Sequence, residues 1–215
     1  DDGTTRISFL GPLSWEDVYF RNFFTLDSTL VVIKASTYDG IIRIYSISKE
    51  LVDLEDSEWT LIKKLDAPTY GSQEIENFTI VSGKFFFSFR TYYPNVAPTD
   101  ELWVCDGTDS GTKLIKSFGW SPHSSNSEMG TFFSFKEKLY FRGGNPVNRS
   151  LWTSDGSSEG TFKVHDVILT QPLNNERQPI LITDEKFFFS GGDGYNSELW
   201  VSDGTSDGTY QVFDL

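Results

Sequence analysis

Glu101-Leu102-Trp103-Val104-Cys105-Asp106-Gly107-Thr108, followed by Gly111-Thr112, returns twice with few changes. The second copy is Ser150-Leu151-Trp152-Thr153-Ser154-Asp155-Gly156-Ser157, followed by Gly160-Thr161. The third is Glu198-Leu199-Trp200-Val201-Ser202-Asp203-Gly204-Thr205, followed by Gly208-Thr209. The tryptophans lie 49 and 48 residues apart. A period of about 40–50 residues with several short strands per unit is that of a β-propeller blade.

Each unit reads as four strands. In the last, Pro179–Thr183, Lys186–Ser190, Glu198–Ser202 and Gly208–Phe213 are separated by Asp-Glu, Gly-rich and Asp-Gly turns. Asn77–Val81, Lys84–Arg90, Glu101–Cys105 and Thr112–Phe118 form an earlier unit. Thr131–Phe135, Lys138–Arg142, Ser150–Ser154 and Thr161–Val164 form the next. β-Branched and aromatic residues fill the runs and Gly, Asn and Asp separate them. No window carries a helical period. The expected fold is therefore all-β, a propeller of about four four-stranded antiparallel blades in one domain over 1–215, or an arc of a longer array.

Upstream the pattern degenerates. Ile44-Tyr45 stands where Leu102-Trp103 stands later, an acidic loop from Lys49 to Glu58 replaces the Asp-Gly hairpin, and Trp59–Leu65 supplies a last strand. Asp2–Phe9 reads like the closing strand of a preceding unit. The repeats thus fall near 1–13 (an orphan strand), 20–66, 76–118, 130–166 and 178–215. The orphan strand belongs either to a longer array or to an edge on a neighbouring molecule.

Composition narrows the function classes. The net charge of −13 excludes nucleic acid and anionic membranes as partners, because phosphate binding needs clustered Lys and Arg. No apolar run is long enough to span a bilayer. Aromatic residues make up 16% of the chain, and flat rings fill the wedge between face-packed sheets. Cys105 is the single cysteine, so no intrachain disulfide framework or cysteine-rich metal site exists. Its strand position predicts a small buried residue, with Ser154 and Ser202 in the same place of later copies.

In the hairpins, Asp106, Asp155 and Asp203 are expected to bind backbone N–H groups two residues on, with Gly107, Gly156 and Gly204 at positive φ. Trp103, Trp152 and Trp200 are expected to pack on an adjacent blade, each indole N–H meeting a carbonyl. A second reading of the same hairpins is calcium: Asp106 with Asp109, Asp155 with Glu159, and Asp203 with Asp207. No other cofactor is implied. Asn77-Phe78-Thr79 and Asn148-Arg149-Ser150 are N-glycosylation sequons, Asn148 in a loop and the more accessible.

The phrase Glu-Leu-Trp-x-x-Asp-Gly-Thr with its trailing Gly-Thr resembles the ELWxxDGT repeat family, matched in full by the first and third copies; the middle copy has Ser150 and Ser157 in place of Glu and Thr. That resemblance, specific over roughly 77–215, implies tandem propeller-like blades in secreted or surface-associated bacterial proteins and no catalytic residues.

Enzyme signatures are few. His123 and His165 occupy unrelated repeat positions, His165 expected exposed at a blade edge. No nucleophile elbow, phosphate loop or zinc motif occurs. Arg43, Arg90, Arg142 and Arg177 fall at differing blade positions, unlike a convergent arginine cluster. The expectation is a non-enzymatic extracellular or cell-surface structural or adhesive protein that self-associates head to tail, with Thr4–Phe9 as connector. The alternative is a glycan-binding propeller, with Tyr92-Tyr93, Trp120 and Tyr195 as loop platforms for sugars.

Overall fold

The computed structural model describes residues 18–26, 28–36, 41–48, 50, 59–66, 72–93, 96–120, 129–144, 149–170, 180–192 and 197–213. The orphan strand at 4–9, the acidic loop at 51–58, His123, Asn148, Arg177 and Tyr195 lie outside them. Among the described residues the regular structure is strand, apart from a 3-10 residue at Glu50. Among the described residues no helix is long and apolar enough to cross a membrane.

Four antiparallel sheets follow one another along the chain as propeller blades. Blade 1 holds β1 (Val18–Leu26), β2 (Thr29–Ser36), β3 (Ile42–Ser48) and β4 (Thr60–Leu65). Blade 2 holds β5 (Ser72–Val81), β6 (Lys84–Tyr93), β7 (Val96–Cys105) and β8 (Lys113–Trp120). Blade 3 holds β9 (Gly130–Phe135), β10 (Lys138–Gly143), β11 (Ser150–Ser154) and β12 (Phe162–His165). In each, neighbours in sequence are neighbours in the sheet. Two-residue turns close β5–β6 and β9–β10, with positive φ at Ser82 (48°), Gly83 (69°), Lys136 (44°) and Glu137 (60°). That is the turn whose twist suits a tight hairpin.

Blade 4 departs from expectation. Its first strand is split: β13 (Ile168–Leu169) and β14 (Leu181–Ile182) both pair with β15 (Phe187–Gly192), which continues to β16 (Ser197–Ser202) and β17 (Tyr210–Phe213). Leu169 pairs with Gly191 and Ile182 with Phe187, so the two short pieces share the edge of one strand. The expected strand at 179–183 shrinks to two residues, and residues just past the expected end of the third unit complete the fourth sheet. Thr170 extends the contact, its N–H donating to Ser190 O at 3.2 Å.

The pleat gives every blade two faces, and each carries apolar residues. The face of blade 2 toward blade 1 holds Phe85, Phe87, Phe89 and Cys105, packed on Phe24, Val31, Ile33, Ile44 and Ile62. Phe24 and Phe85 stack at 3.5 Å between centroids. The opposite face holds Phe86, Leu102, Val104 and Ile115, packed on Leu139 and Phe141 of blade 3. Blade 3 then offers Tyr140, Leu151 and Val164 to Phe187 and Phe189 of blade 4. The triplets Phe85-Phe86-Phe87 and Phe187-Phe188-Phe189 alternate between two buried interfaces, except that Phe188 is only half-buried.

The exception extends to neighbours on the same face. Leu102 and Leu151 are both 0% exposed, whereas Leu199, at the same place in blade 4, is 46% exposed. Ile115 and Val164 are buried, and their counterpart Val212 is 44% exposed. Leu181 stands beside them at 65%. Among the described residues the outward face of blade 4 is thus open at Leu181, Leu199 and Val212, while Val201 on the same face is 3% exposed.

Candidate functional site

The three hairpins are built alike. Asp106 Oδ1 accepts from Thr108 N at 2.9 Å and Thr108 Oγ1 at 2.7 Å. Asp155 does the same with Ser157, and Asp203 with Thr205. The hydroxyl then accepts from the trailing glycine: Gly111 N at 3.0 Å, Gly160 N at 2.9 Å, Gly208 N at 3.0 Å. These bonds hold the Asp155 and Asp203 carboxyls below the ordinary carboxylate range, the side-chain hydroxyl being the largest cause. Gly107, Gly156 and Gly204 take φ of 91°, 94° and 96°, as expected.

The trailing glycines leave room that a side chain would fill. A Cβ at Gly160 would lie 2.1 Å from Asp155 Oδ1, and one at Gly208 would lie 2.0 Å from Asp203 Oδ1. The aspartate folds over a backbone that must be bare. The threonine after it is a clasp: Thr112 Oγ1 donates to Thr108 O at 2.6 Å and Thr161 Oγ1 to Ser157 O at 2.6 Å.

The position before the aspartate is polar in effect. Ser154 Oγ lies 2.7 Å from Thr161 Oγ1 and accepts from Gly156 N at 3.1 Å. Ser202 does likewise with Thr209 and Gly204. Cys105 Sγ lies 3.2 Å from Thr112 Oγ1 and accepts from Gly107 N at 3.4 Å. Burial pushes the Cys105 thiol up, so it stays protonated.

The hairpins also join blades. Lys63 of blade 1 forms an ion pair with Asp109 Oδ1 at 2.9 Å. Lys84 of blade 2 donates to Asp155 O at 3.3 Å, and Lys136 of blade 3 to Asp203 O at 3.5 Å. Tyr140 Oη donates to Gly204 O at 3.3 Å. Among the described residues no three His, Cys, Asp or Glu side chains gather in a cation cage. Asp106, Asp155 and Asp203 accept within their own turns, and Asp109 pairs with Lys63.

The tryptophans differ from one another. Trp103 Nε1 donates to Glu101 Oε2 at 2.9 Å, a carboxylate rather than the expected carbonyl. Trp152 Nε1 and Trp200 Nε1 are buried with no acceptor. In the middle copy Ser150 is too short to reach where Glu101 reaches. Phe118 of the preceding blade meets Trp152 edge-on at 5.0 Å, and Lys116 Nζ stands 5.4 Å from its ring. His165 of blade 3 lies 5.4 Å from Trp200. His165 is therefore half-buried against an indole, its Nδ1 accepting from Val167 N at 3.0 Å, and not free at an edge.

Trp103 packs instead on the cluster that holds Ile62 and Leu65 of blade 1, with no ring from that blade against it. Between β4 and blade 2 lies a cleft of about 380 Å³, lined by Lys63, Lys64, Gln73, Tyr93, Glu101 and Trp103. Tyr93 is 41% exposed at its rim. Tyr92, Tyr93 and Trp120 were expected in loops but end the long strands β6 and β8. The Tyr92 phenol, pushed up to about 12 chiefly by burial, donates to Glu74 Oε2 at 3.4 Å. Arg90 lies 5.2 Å over the Tyr92 ring and pairs with buried Asp100 at 3.6 Å. Asn77 sits in β5 with Nδ2 donating to Ser88 Oγ and Met129 O, both at 3.2 Å, which engages the nitrogen that a glycan would need.

No family model matches the chain, and no curated protein does. Among solved structures, an exo-β-1,3-galactanase from Clostridium thermocellum is 11% identical, with a TM-score of 0.42 over 89% of this chain and 47% of its own. The β-propeller domain of the Trilobed protease from Pyrococcus furiosus is 11% identical, with a TM-score of 0.41 over 91% and 55%. An α-L-arabinofuranosidase from Lactobacillus brevis is 15% identical, with a TM-score of 0.44 over 91% and 71%. The chain thus spans about half the length of the first two. No functional residue transfers at that distance.

Proposed function

We propose that this chain is a non-enzymatic, extracellular structural or adhesive module of the ELWxxDGT type that self-associates blade to blade. The observation that carries the reading is the outward face of blade 4. Leu199 is 46% exposed where Leu102 and Leu151 are 0%. Positions that bury a blade contact twice within the chain are left open a third time. A heterologous contact of this kind propagates unless the rotation closes it. The extracellular setting rests on the family resemblance alone.

The net charge of −13 opposes association of copies, and salt screens that repulsion. Self-association should therefore rise with both protein and salt concentration. Sedimentation of the wild type and of Leu199→Asp/Val212→Asp tests it. The expected result is concentration-dependent oligomers for the wild type and a folded monomer for the variant. A wild-type chain that stays monomeric at about 100 µM in high salt, far above the Kd range of a specific contact, overturns the reading.

A further inference from the structure

The first blade junction differs from the other two in one respect, and the difference leaves a space of defined chemistry. At the second junction Phe118 of β8 covers the indole of Trp152, and at the third His165 of β12 stands against Trp200. The corresponding strand of blade 1 is Thr60-Leu61-Ile62-Lys63-Lys64-Leu65, without an aromatic ring. The register is clear. Phe118 follows Lys116, which pairs with Leu102; Leu65 stands likewise two residues after Lys63, which pairs with Ile44. Leu65 thus holds the place of Phe118, and Lys63 that of His165, which pairs with Leu151. No ring of blade 1 caps the indole here: Leu65 stands in that place, buried in the cluster on which Trp103 packs, and the cleft of about 380 Å³ opens beside both.

We infer that this cleft binds a neutral oligosaccharide, one sugar ring taking the place of the missing aromatic cap. Trp103 is fixed for the purpose. Phe87 stacks on it at 6.2 Å, Phe89 meets it edge-on at 6.0 Å, and Glu101 holds its N–H. A rigid aromatic surface with a second ring, Tyr93, at the rim suits the C–H face of a pyranose or furanose and costs little ordering. The polar groups suit its hydroxyls. Gln73 Nε2 donates to Asp66 O at 2.6 Å, which fixes the amide, while Gln73 Oε1 is buried without a donor. An unmet buried acceptor is costly, and a ligand hydroxyl in the cleft that Gln73 lines would meet it. Glu101 has lone pairs beyond the one that the indole uses.

The charges select for neutrality. Lys64 Nζ is 2.8 Å from Asp66 Oδ1, and Lys63 Nζ is 2.9 Å from Asp109 Oδ1. Both ammonium groups already face carboxylates, so among the residues lining the cleft an acidic sugar finds no surplus cation and meets Glu101. An apolar side chain would leave the Gln73 and Glu101 oxygens unserved. The site lies at the junction of blades 1 and 2 and uses none of the exposed residues of blade 4, and the inference stands whether or not the chain self-associates.

Titration calorimetry with neutral tetra- to hexasaccharides of hexose and pentose types, against oligogalacturonate as the acidic probe, tests it. At least one neutral probe is expected to bind saturably, at least about tenfold more tightly than the acidic one. Tyr93→Ala should weaken binding about tenfold, the loss of one aromatic contact. Leu65→Phe should abolish it by restoring the ring while removing no polar group, and thermal unfolding of both variants establishes that they fold. No saturable binding of any neutral probe at about 10 mM, weaker than the millimolar end of the affinity scale, overturns the inference. So does binding that favours the acidic probe, or that both folded variants leave unchanged.

Discussion

Truncating one leucine in three equivalent places separates covered from uncovered blade faces. Leu102, Leu151 and Leu199 precede the tryptophan in each copy and are 0%, 0% and 46% exposed. Full burial of a leucine side chain stabilises by about 1.5–3 kcal/mol, and truncation to alanine in a packed site adds a cavity cost. Leu102→Ala and Leu151→Ala should each cost about 3 kcal/mol. At Leu199 roughly half of the transfer gain is missing and no closed cavity forms, so Leu199→Ala should cost about 1 kcal/mol. Urea unfolding followed by tryptophan fluorescence, at low protein concentration and with matching slopes, reads these differences directly. Equal losses at all three sites would refute the uncovered face. At concentrations where copies associate, the Leu199→Ala deficit should grow, because association stabilises only the folded chain.

Two further outcomes follow from the hairpins. Gly160→Ala drives a methyl into the Asp155 carboxylate, 2.1 Å away, and should destabilise by about 1–3 kcal/mol; in an Asp155→Ala background most of that cost should vanish, and additive losses in the double-mutant cycle would count against the overlap. Because the folded-state pKa values of Asp155 and Asp203 are depressed, their turns stabilise fully above the unfolded carboxylate pKa, and that contribution is lost as pH falls through the folded value. Asp155→Asn/Asp203→Asn should therefore flatten the acid limb of a stability profile, and an unchanged slope would show that the turns hold no charge-dependent bond.

The blade architecture was legible because the hairpin chemistry is local. An aspartate that binds two residues ahead and a glycine at positive φ need no knowledge of the rest of the chain. The split first strand of blade 4 was not legible, since Ile168-Leu169 is too short to show a period and is defined only by its pairing with Gly191 and Gly192. Cys105, Ser154 and Ser202 read as small buried residues, and their hydrogen bonds to Thr112, Thr161 and Thr209 emerge only when the hairpin closes. The cleft was hidden for a different reason. Its signal is an aromatic residue absent from β4, which has meaning only once Leu65 is aligned with Phe118 across two sheets. Tyr93 was singled out as a platform, while Trp103, read purely as packing, forms the other aromatic wall.

Each hairpin that closes its own sheet is also gripped by a lysine from the sheet before it: Lys63 at Asp109, Lys84 at Asp155, Lys136 at Asp203. One unit therefore carries both halves of the joint, a tip to be held and a side chain that holds the next. Duplicating a segment of the gene copies the complete fastening, and a protein of this design can lengthen over generations without inventing a new contact.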